Sequence, residues 1–440
     1  MSTSLTADAV VVGSGVIGSA IAYELSRAGR DVLVLDKAGG AGHGSTSASS
    51  AVIRFLYSTF DTVATSWEAK FCWEQWAEHL GFDPAAADTP PLTRFRRTGM
   101  LHLDVPAVPL EQSQDLLRAA GVPFAYYDAG ELARRFPQVD VGAYWPNHPI
   151  TDDAFWEEAS SSLGAIHTPD AGYMDDPRLA ADNLAEAARR CGARTLFRAE
   201  VTSAERVGSV WTLGLADGRR VEAPVVVNAA GPWSGAFNRM AGVGEEFTVG
   251  VRPLRQEVHQ VGRPAGHGTD EEPGPGVFDI DLGTYMRPGP AGAWVVGGTE
   301  PECDPFEWLE DPDDADLHVT NARYEAQVTR AARRLPELRM PNRPSGVVGV
   351  YDVADDWTPI YDRTDADGFY VAMGTSGNQF KNAPLAGRFL AEIVAAVEAG
   401  HDHDRDPVHH VGEHTGLKID LSAFSRKRPV NAASTRTVLG

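Results

Sequence analysis

The sequence predicts an α/β protein of more than one domain, and three stretches predict it. Residues 9–36 read as strand, tight glycine turn, helix and second strand. Residues 250–298 are rich in short strands separated by glycine and proline, as in an antiparallel sheet. From Ser345 onward the alternation of strand and helix returns. At 440 residues the chain is too long for one simple core and suits two domains, each able to bury its own interior.

The first stretch, AVVVGSGVIGSAIAYELSRAGRDVLVLD, carries the most chemistry. Val10 to Val12 lead into Gly13, Gly15 and Gly18 at G-x-G-x-x-G spacing, apolar residues then recur at helical intervals, and Gly29 stops the helix. The first glycine permits the turn, the second lets backbone approach a pyrophosphate, and the third lets the helix lie close on the strand. The helix amino terminus then holds the phosphate charge. Asp36 ends the second strand eighteen residues after Gly18, where a carboxylate accepts hydrogen bonds from both ribose hydroxyls of an adenosine. These features predict a dinucleotide site. They leave FAD and NAD equally open.

A formal charge of −22 argues against nucleic acid or an anionic membrane as partner, and no apolar run reaches the length of a membrane span. With no leader pattern near Met1, a cytoplasmic location is expected. Cys72, Cys191 and Cys303 are far apart and odd in number, which fits reduced thiols rather than disulfides or a metal site, so no metal is expected. Only five lysines stand against 34 arginines, which draws attention to Lys37, Lys70, Lys381, Lys418 and Lys427.

Taken in order, the polar loop GGAGHGSTSASS offers backbone and hydroxyl donors for a second phosphate or the middle of a long cofactor, and runs into AVIRFLY at 51–57. The apolar set Ala69, Cys72, Trp73, Trp76, Ala77 and Leu80 marks one face of a helix over 65–80. Residues 81–153 carry no motif beyond a helix near 111–120. A helix over 179–190 precedes strands at 195–201, 210–215 and 223–228, the last delivering the chain to Ala229, Ala230 and Gly231. Strands follow at 255–261, 277–280, 284–286 and 293–296, then at 347–351 and 368–373. The turn GTSGNQFKNAP leads into a helix over 384–399, aiming backbone donors and Lys381 at whatever precedes it. The acidic stretch 310–316 and the histidine-rich tail HDHDRDPVHHVGEH read as solvated.

Three blocks, GSGVIG with Asp36, VVNAAGPWS at 226–234 and GTSGNQFK at 374–381, together resemble the FAD-dependent amine and amino-acid oxidoreductases grouped around D-amino-acid oxidase, glycine oxidase and monomeric sarcosine oxidase. The resemblance covers about residues 8–58 and 165–400. It selects FAD over NAD and implies a glutathione-reductase-like FAD-binding domain of discontinuous segments (1–80, 154–235 and 342–400). A substrate domain with a large, mainly antiparallel sheet (81–153 and 236–341) and a tail at 401–440 complete the chain.

Carried over by position, the resemblance assigns Gly13, Gly15, Gly18, Asp36 and Lys37 to the ADP half, and Ser45, Thr46, Ser47, Ser50 and Ala51 to the pyrophosphate and isoalloxazine. Val201 falls at the adenine, and Ala230, Gly231 and Trp233 at the ribityl region. Gly374, Thr375, Ser376, Gly377, Gln379, Phe380 and Lys381 fall at the pyrimidine edge, where donors meet the charge that builds on reduction. Arg54 and Lys381 match the pair that holds a substrate carboxylate, and Tyr285 is placed to close the pocket. The implied activity is oxidation of the C–N bond of a small amino acid or N-alkyl amino acid to an imine, with oxygen or another electron acceptor. The alternatives are a flavoprotein subunit of a larger complex and a hydroxy-acid substrate.

Three departures qualify the resemblance, one being Asn378 and Gln379 in place of a His-Gly pair at the pocket wall. Gly349 and Val350 precede Tyr351 where the sarcosine oxidases carry the cysteine that bonds the flavin, so a noncovalent FAD is expected. Val295 lies where they carry the lysine that promotes reaction with oxygen, leaving His259 or an arginine to substitute.

Overall fold

A six-stranded sheet organises the computed structural model, which describes residues 4–439. Its order is Arg194–Phe197, Val32–Asp36, Ala9–Val12, Val225–Asn228, Phe369–Met373 and Ile360–Arg363. The first five strands run parallel and the last pairs antiparallel to its neighbour. Ala9–Val12, Val225–Asn228 and Phe369–Met373 are buried at every position, which is why they read as unbroken apolar runs instead of alternating ones.

Helix Val16–Arg27 lies between helices Pro177–Arg190 and Ala383–Glu398, so residues 16–26 are all buried and the helix lacks a polar face. The Pro177–Arg190 helix starts sharply because Asp176 accepts from the Leu179 amide at 2.9 Å and Pro177 needs no amide partner.

The second large element is an eight-stranded sheet in the order Gly346–Ala354, Val251–Gly262, Ala293–Gly298, Thr284–Pro288, Gly276–Asp279, Met100–Leu103, Ala165–Thr168 and Ala125–Tyr127. All its pairings are antiparallel except that between Gly276–Asp279 and Met100–Leu103. Helix Asn321–Arg334 packs on one face. It is pinned there by the wholly buried Arg334, which bonds Asp279 at 2.7 Å and Asp281 at 2.8 Å. Burial and the neighbouring Asp279 push the Asp281 carboxyl up to about 6.

Several expected boundaries move. The helix expected over 65–80 is Phe60–Glu74, broken at Gln75 and followed by the short turn Trp76–His79. The strand expected over 195–201 is two strands, separated where Arg198 takes a φ of 55°. The strand expected over 223–228 is also split, since Pro224 supplies no ladder amide between Arg220–Ala223 and Val225–Asn228. Strands Ala165–Thr168 and Gly346–Ala354, from segments assigned to the nucleotide domain, join the eight-stranded sheet instead.

The tail corrects the sequence reading most. His403, His410, Ile419, Leu421, Phe424, Arg426, Val438 and Leu439 are buried, so 401–439 is packed structure and not a solvated tail. Among the described residues no helix is long and apolar enough to cross a membrane.

Candidate functional site

A long cavity of about 400 Å³ runs from the carboxyl ends of strands Ala9–Val12 and Val32–Asp36 to the face of the eight-stranded sheet not covered by helix Asn321–Arg334. It begins at the switch point of a doubly wound sheet, where the chain leaves Ala9–Val12 to one side and Val225–Asn228 lies on the other. Gly13 and Gly18 build this end by close approach. A Cβ on Gly13 would lie 2.3 Å from the Ala229 carbonyl oxygen, and one on Gly18 would lie 2.0 Å from the Gly13 carbonyl oxygen. Gly13 also takes a φ of 106°. Asp36 fixes the turn by accepting from the Ser14 amide at 2.6 Å and the Ala38 amide at 2.7 Å. Thr46 Oγ1 accepts from the Val16 amide at 3.0 Å, at the amino terminus of the first helix.

Of the residues expected at the cofactor, Gly13, Gly15, Asp36, Lys37, Ser45, Thr46, Ser50, Ala51, Val201, Ala230, Gly231, Trp233, Thr375, Gly377, Gln379, Phe380 and Lys381 line this one cavity, as do Arg54 and Tyr285. Gly18, Ser47, Gly374 and Ser376 do not. Ser47 is exposed and its hydroxyl turns back to the Gly44 carbonyl. Ser376 braces its loop to strand Gly346–Ala354, accepting from the Ala354 amide at 3.1 Å and donating to the Gly374 carbonyl at 3.0 Å.

The acidic stretch expected to be solvated instead closes over the nucleotide end. Lys37 Nζ bonds Asp313 at 2.7 Å and sits 4.1 Å from the Trp233 ring centroid, while Trp233 Nε1 donates to Asp313 at 3.0 Å. Asp311 and Asp313 both line the cavity.

At the opposite end stand two buried cations. Arg54 donates to the carbonyls of Leu56 and Val438, and its guanidinium lies 4.7 Å from the Tyr57 ring centroid and 5.3 Å from that of Phe278. Lys381 Nζ donates to Tyr57 Oη at 2.9 Å and to the Asn378 carbonyl at 2.6 Å. Among the described residues no carboxylate pairs with either cation. Burial lowers both pKa values, and the Arg54 charge lowers that of Lys381 further, holding it well below the ordinary lysine range. Burial pushes the Tyr57 and Tyr285 phenols up to about 12, so both are proton donors. Tyr285 and Ser50 share a hydrogen bond of 2.5 Å.

Tyr57 and Asp352 also belong to this end, and no sequence motif marks either. Asp352 accepts from the Thr375 amide at 3.1 Å and from the Thr375 hydroxyl, fixing the Gly374–Lys381 turn. Tyr57 stands in the AVIRFLY stretch, but nothing local there points to its bond with Lys381. Asp352 had no local signal, because its partner lies across a loop.

His259 cannot stand in for a cation at Val295. It pairs in register with Val296, and its ring packs edge-on to Tyr324 at 5.3 Å, on the helix-covered face. Arg287 is directly opposite Val295 across the ladder. Among the described residues it has no acid partner; it is buried, donates to the Ser50 and Pro288 carbonyls at 2.6 Å, and is lowered by burial to about 10.

The model for FAD dependent oxidoreductases of the DAO family matches residues 8–393, nearly nine-tenths of the chain. The chain belongs to this family. It is 27% identical over 423 residues to the mouse FAD-dependent oxidoreductase domain-containing protein 1, covering 88% of this chain and 81% of that protein. It is 24% identical over 410 residues to glycine oxidase of Geobacillus kaustophilus strain HTA426, covering 90% and 94%. The solved L-proline dehydrogenase of P. horikoshii superposes with a TM-score of 0.73 at 21% identity over 97% of this chain and 98% of that one, a likeness of fold. As a member of the family the protein is an FAD-dependent oxidoreductase, and the cavity fits that cofactor. One end offers the glycine cradle and Asp36, and the other end offers Arg54 and Lys381, whose acceptors are backbone carbonyls and a phenol.

Proposed function

We propose that the protein oxidises the C–N bond of a small amino acid or N-alkyl amino acid to an imine, which water then hydrolyses. The observation that carries this reading is the pair Arg54 and Lys381, a guanidinium and an amine buried at the end of the FAD cavity, beside which no carboxylate stands among the described residues. Burying an unpaired charge is costly, and a substrate carboxylate offsets that cost by accepting charge-assisted hydrogen bonds.

In this reading Gly13, Gly15, Asp36 and Val201 hold the ADP half. Ser45, Thr46, Ala230, Gly231 and Trp233 hold the middle, and the backbone of 375–381 faces the pyrimidine edge. No cysteine or histidine lines the described cavity, which supports a noncovalent FAD. Bound FAD supplies the hydride acceptor. Arg54 and Lys381 then fix the carboxylate and with it the direction of the Cα–H bond. Tyr285, paired to Ser50, closes the substrate end. Named relatives include glycine oxidases and a dimethylglycine dehydrogenase, which supports an amino-acid or N-methyl amino-acid substrate.

In this reading Arg287, buried opposite Val295 across the ladder, is the arginine offered in place of the missing lysine, which would favour oxygen as acceptor. The deciding experiment bleaches the purified yellow protein anaerobically with a panel of amino acids, N-methyl amino acids and hydroxy acids, then admits air. The reading requires bleaching by an amine carboxylate and its loss in Arg54→Met with FAD still bound. Removing one partner of a buried charge pair costs about 2–5 kcal/mol, so affinity for the carboxylate should fall at least ~30-fold. Bleaching by hydroxy acids alone, or unaltered bleaching in the variant, rejects it.

A further inference from the structure

The acceptor that Arg54 holds comes from the far end of the chain. Upstream, the carboxyl-terminal segment is firmly anchored. Arg428 bonds Asp356 at 2.9 Å, Thr248 Oγ1 donates to the Arg428 carbonyl at 2.6 Å, and Asn431 donates to Ser58 Oγ at 2.9 Å and to Asp356 at 3.1 Å. Beyond Asn431 the character changes. Among the described residues, the hydrogen bonds of 432–439 stay within 431–439, with one exception: the bond from Arg54 to the Val438 carbonyl. Ala432, Ala433 and Arg436 are exposed, whereas Val438 and Leu439 are buried, and Val438 lines the same cavity as Arg54 and Lys381.

We infer that residues 432–439 form a displaceable strap, whose Val438 carbonyl occupies the Arg54 donor needed by a substrate carboxylate and whose two apolar residues seal the cavity mouth. The inference rests on the carboxylate reading of Arg54 proposed above. A backbone carbonyl is a neutral acceptor. A carboxylate is ionised, can take two donors of a guanidinium, and brings Lys381 into the same pair, so it outcompetes the carbonyl. Opposing it is the apolar surface of Val438 and Leu439 that displacement returns to water. The free protein is therefore mostly closed, and the apparent affinity for a carboxylate is reduced by the fraction of molecules that are open. Because the hinge lies at Asn431, displacement leaves the buried Arg428 cluster undisturbed.

The test compares the full-length holoprotein with a chain ending at Asn431, titrating each with short monocarboxylates from acetate to hexanoate and following the flavin absorbance. The shortened chain should bind them at least ~10-fold more tightly, as expected when the open state is a minor one. Limited trypsin digestion of the full-length protein gives a second readout that does not depend on the shortened chain folding. A carboxylate should speed cleavage after Arg436, and methylamine, lacking the carboxylate, should leave the rate unchanged. Equal affinities, or cleavage slowed or unmoved by carboxylate, overturn the strap while leaving the carboxylate reading intact. Failure of any carboxylate to bind either chain overturns both.

Discussion

Lys381 is a buried amine whose charge depends on what lies beside Arg54. Burial and the Arg54 guanidinium hold its pKa well below the ordinary lysine range, so the neutral form gains population in the free protein as pH rises through that lowered value. A bound carboxylate favours the ammonium and raises the pKa again. Between the two values binding takes up a proton, so affinity for a carboxylate weakens as pH rises from the lower value to the higher one and then levels off. Calorimetric titration of a carboxylate in buffers of different ionisation enthalpy should show net proton uptake, and Lys381→Met should remove it. Absence of uptake in the unmutated protein, at every pH where the carboxylate binds, would show that Lys381 does not change protonation. Arg54 and Lys381 were legible in the sequence through the motifs around them. Tyr57, which joins them, was not, because its hydrogen bond to Lys381 spans 324 residues and no local pattern encodes such a pairing.

The elements that bear the nucleotide end were the most legible, since fully buried parallel strands need unbroken apolar runs and the glycine spacing follows from backbone contact. That contact makes a sharp prediction. A methyl group at Gly18 meets the Gly13 carbonyl at 2.0 Å, so Gly18→Ala must push the first helix off its strand. The variant should purify colourless or not fold, and recovery of a normally flavinated protein would show that the helix can retreat without cost. The clasp of Lys37, Trp233 and Asp313 was not legible, because an acidic stretch with a proline looks the same whether it faces water or a lysine 276 residues away. Its parts are half-exposed. A surface ion pair contributes about 0–1 kcal/mol and an exposed cation–π contact about 0.5–1 kcal/mol. Asp313→Asn should therefore speed FAD release by no more than ~10-fold, and the acceleration of release by salt in the unmutated protein should largely disappear. Flavin fluorescence after dilution measures both.

At the scale of the whole molecule, the carboxyl-terminal forty residues reverse the impression their composition gives. HDHDRDPVHHVGEH reads as a solvated tail because charge and histidine dominate it, yet His403, His410 and Glu413 pair with Asp362, Glu392 and Arg388 elsewhere in the fold. Arg426 is wholly buried and bonds Asp362 at 3.0 Å, Asp404 at 2.7 Å, Asp365 at 2.6 Å and Glu246 at 3.4 Å. Asp362 lies on strand Ile360–Arg363, so the cluster ties the tail to the edge of the nucleotide sheet. Ile419, Leu421 and Phe424 meanwhile pack into the core beside Phe389 and Tyr361. Composition cannot reveal this, since a buried ion cluster and a solvated one use the same residues. Two truncations should then behave differently. A chain ending at Asn431 keeps the cluster and should fold. A chain ending at Gly400 exposes the apolar seat of Phe424 and leaves Asp362 buried without its cation, and it should not accumulate as soluble flavoprotein. Arg426→Met isolates the electrostatic part, because removing one member of a buried ion pair costs about 3–5 kcal/mol. Acid denaturation gives the sign. Hydrogen bonds from Arg426 and Lys427 hold the Asp404 carboxyl well below the ordinary range, so its contribution is fully present above the unfolded value and is lost as pH falls through the folded one. In Arg426→Met that depression shrinks and the acid transition should move to higher pH. An unmoved transition, with stability at neutral pH also unchanged, would mean that the tail is held by its apolar contacts alone.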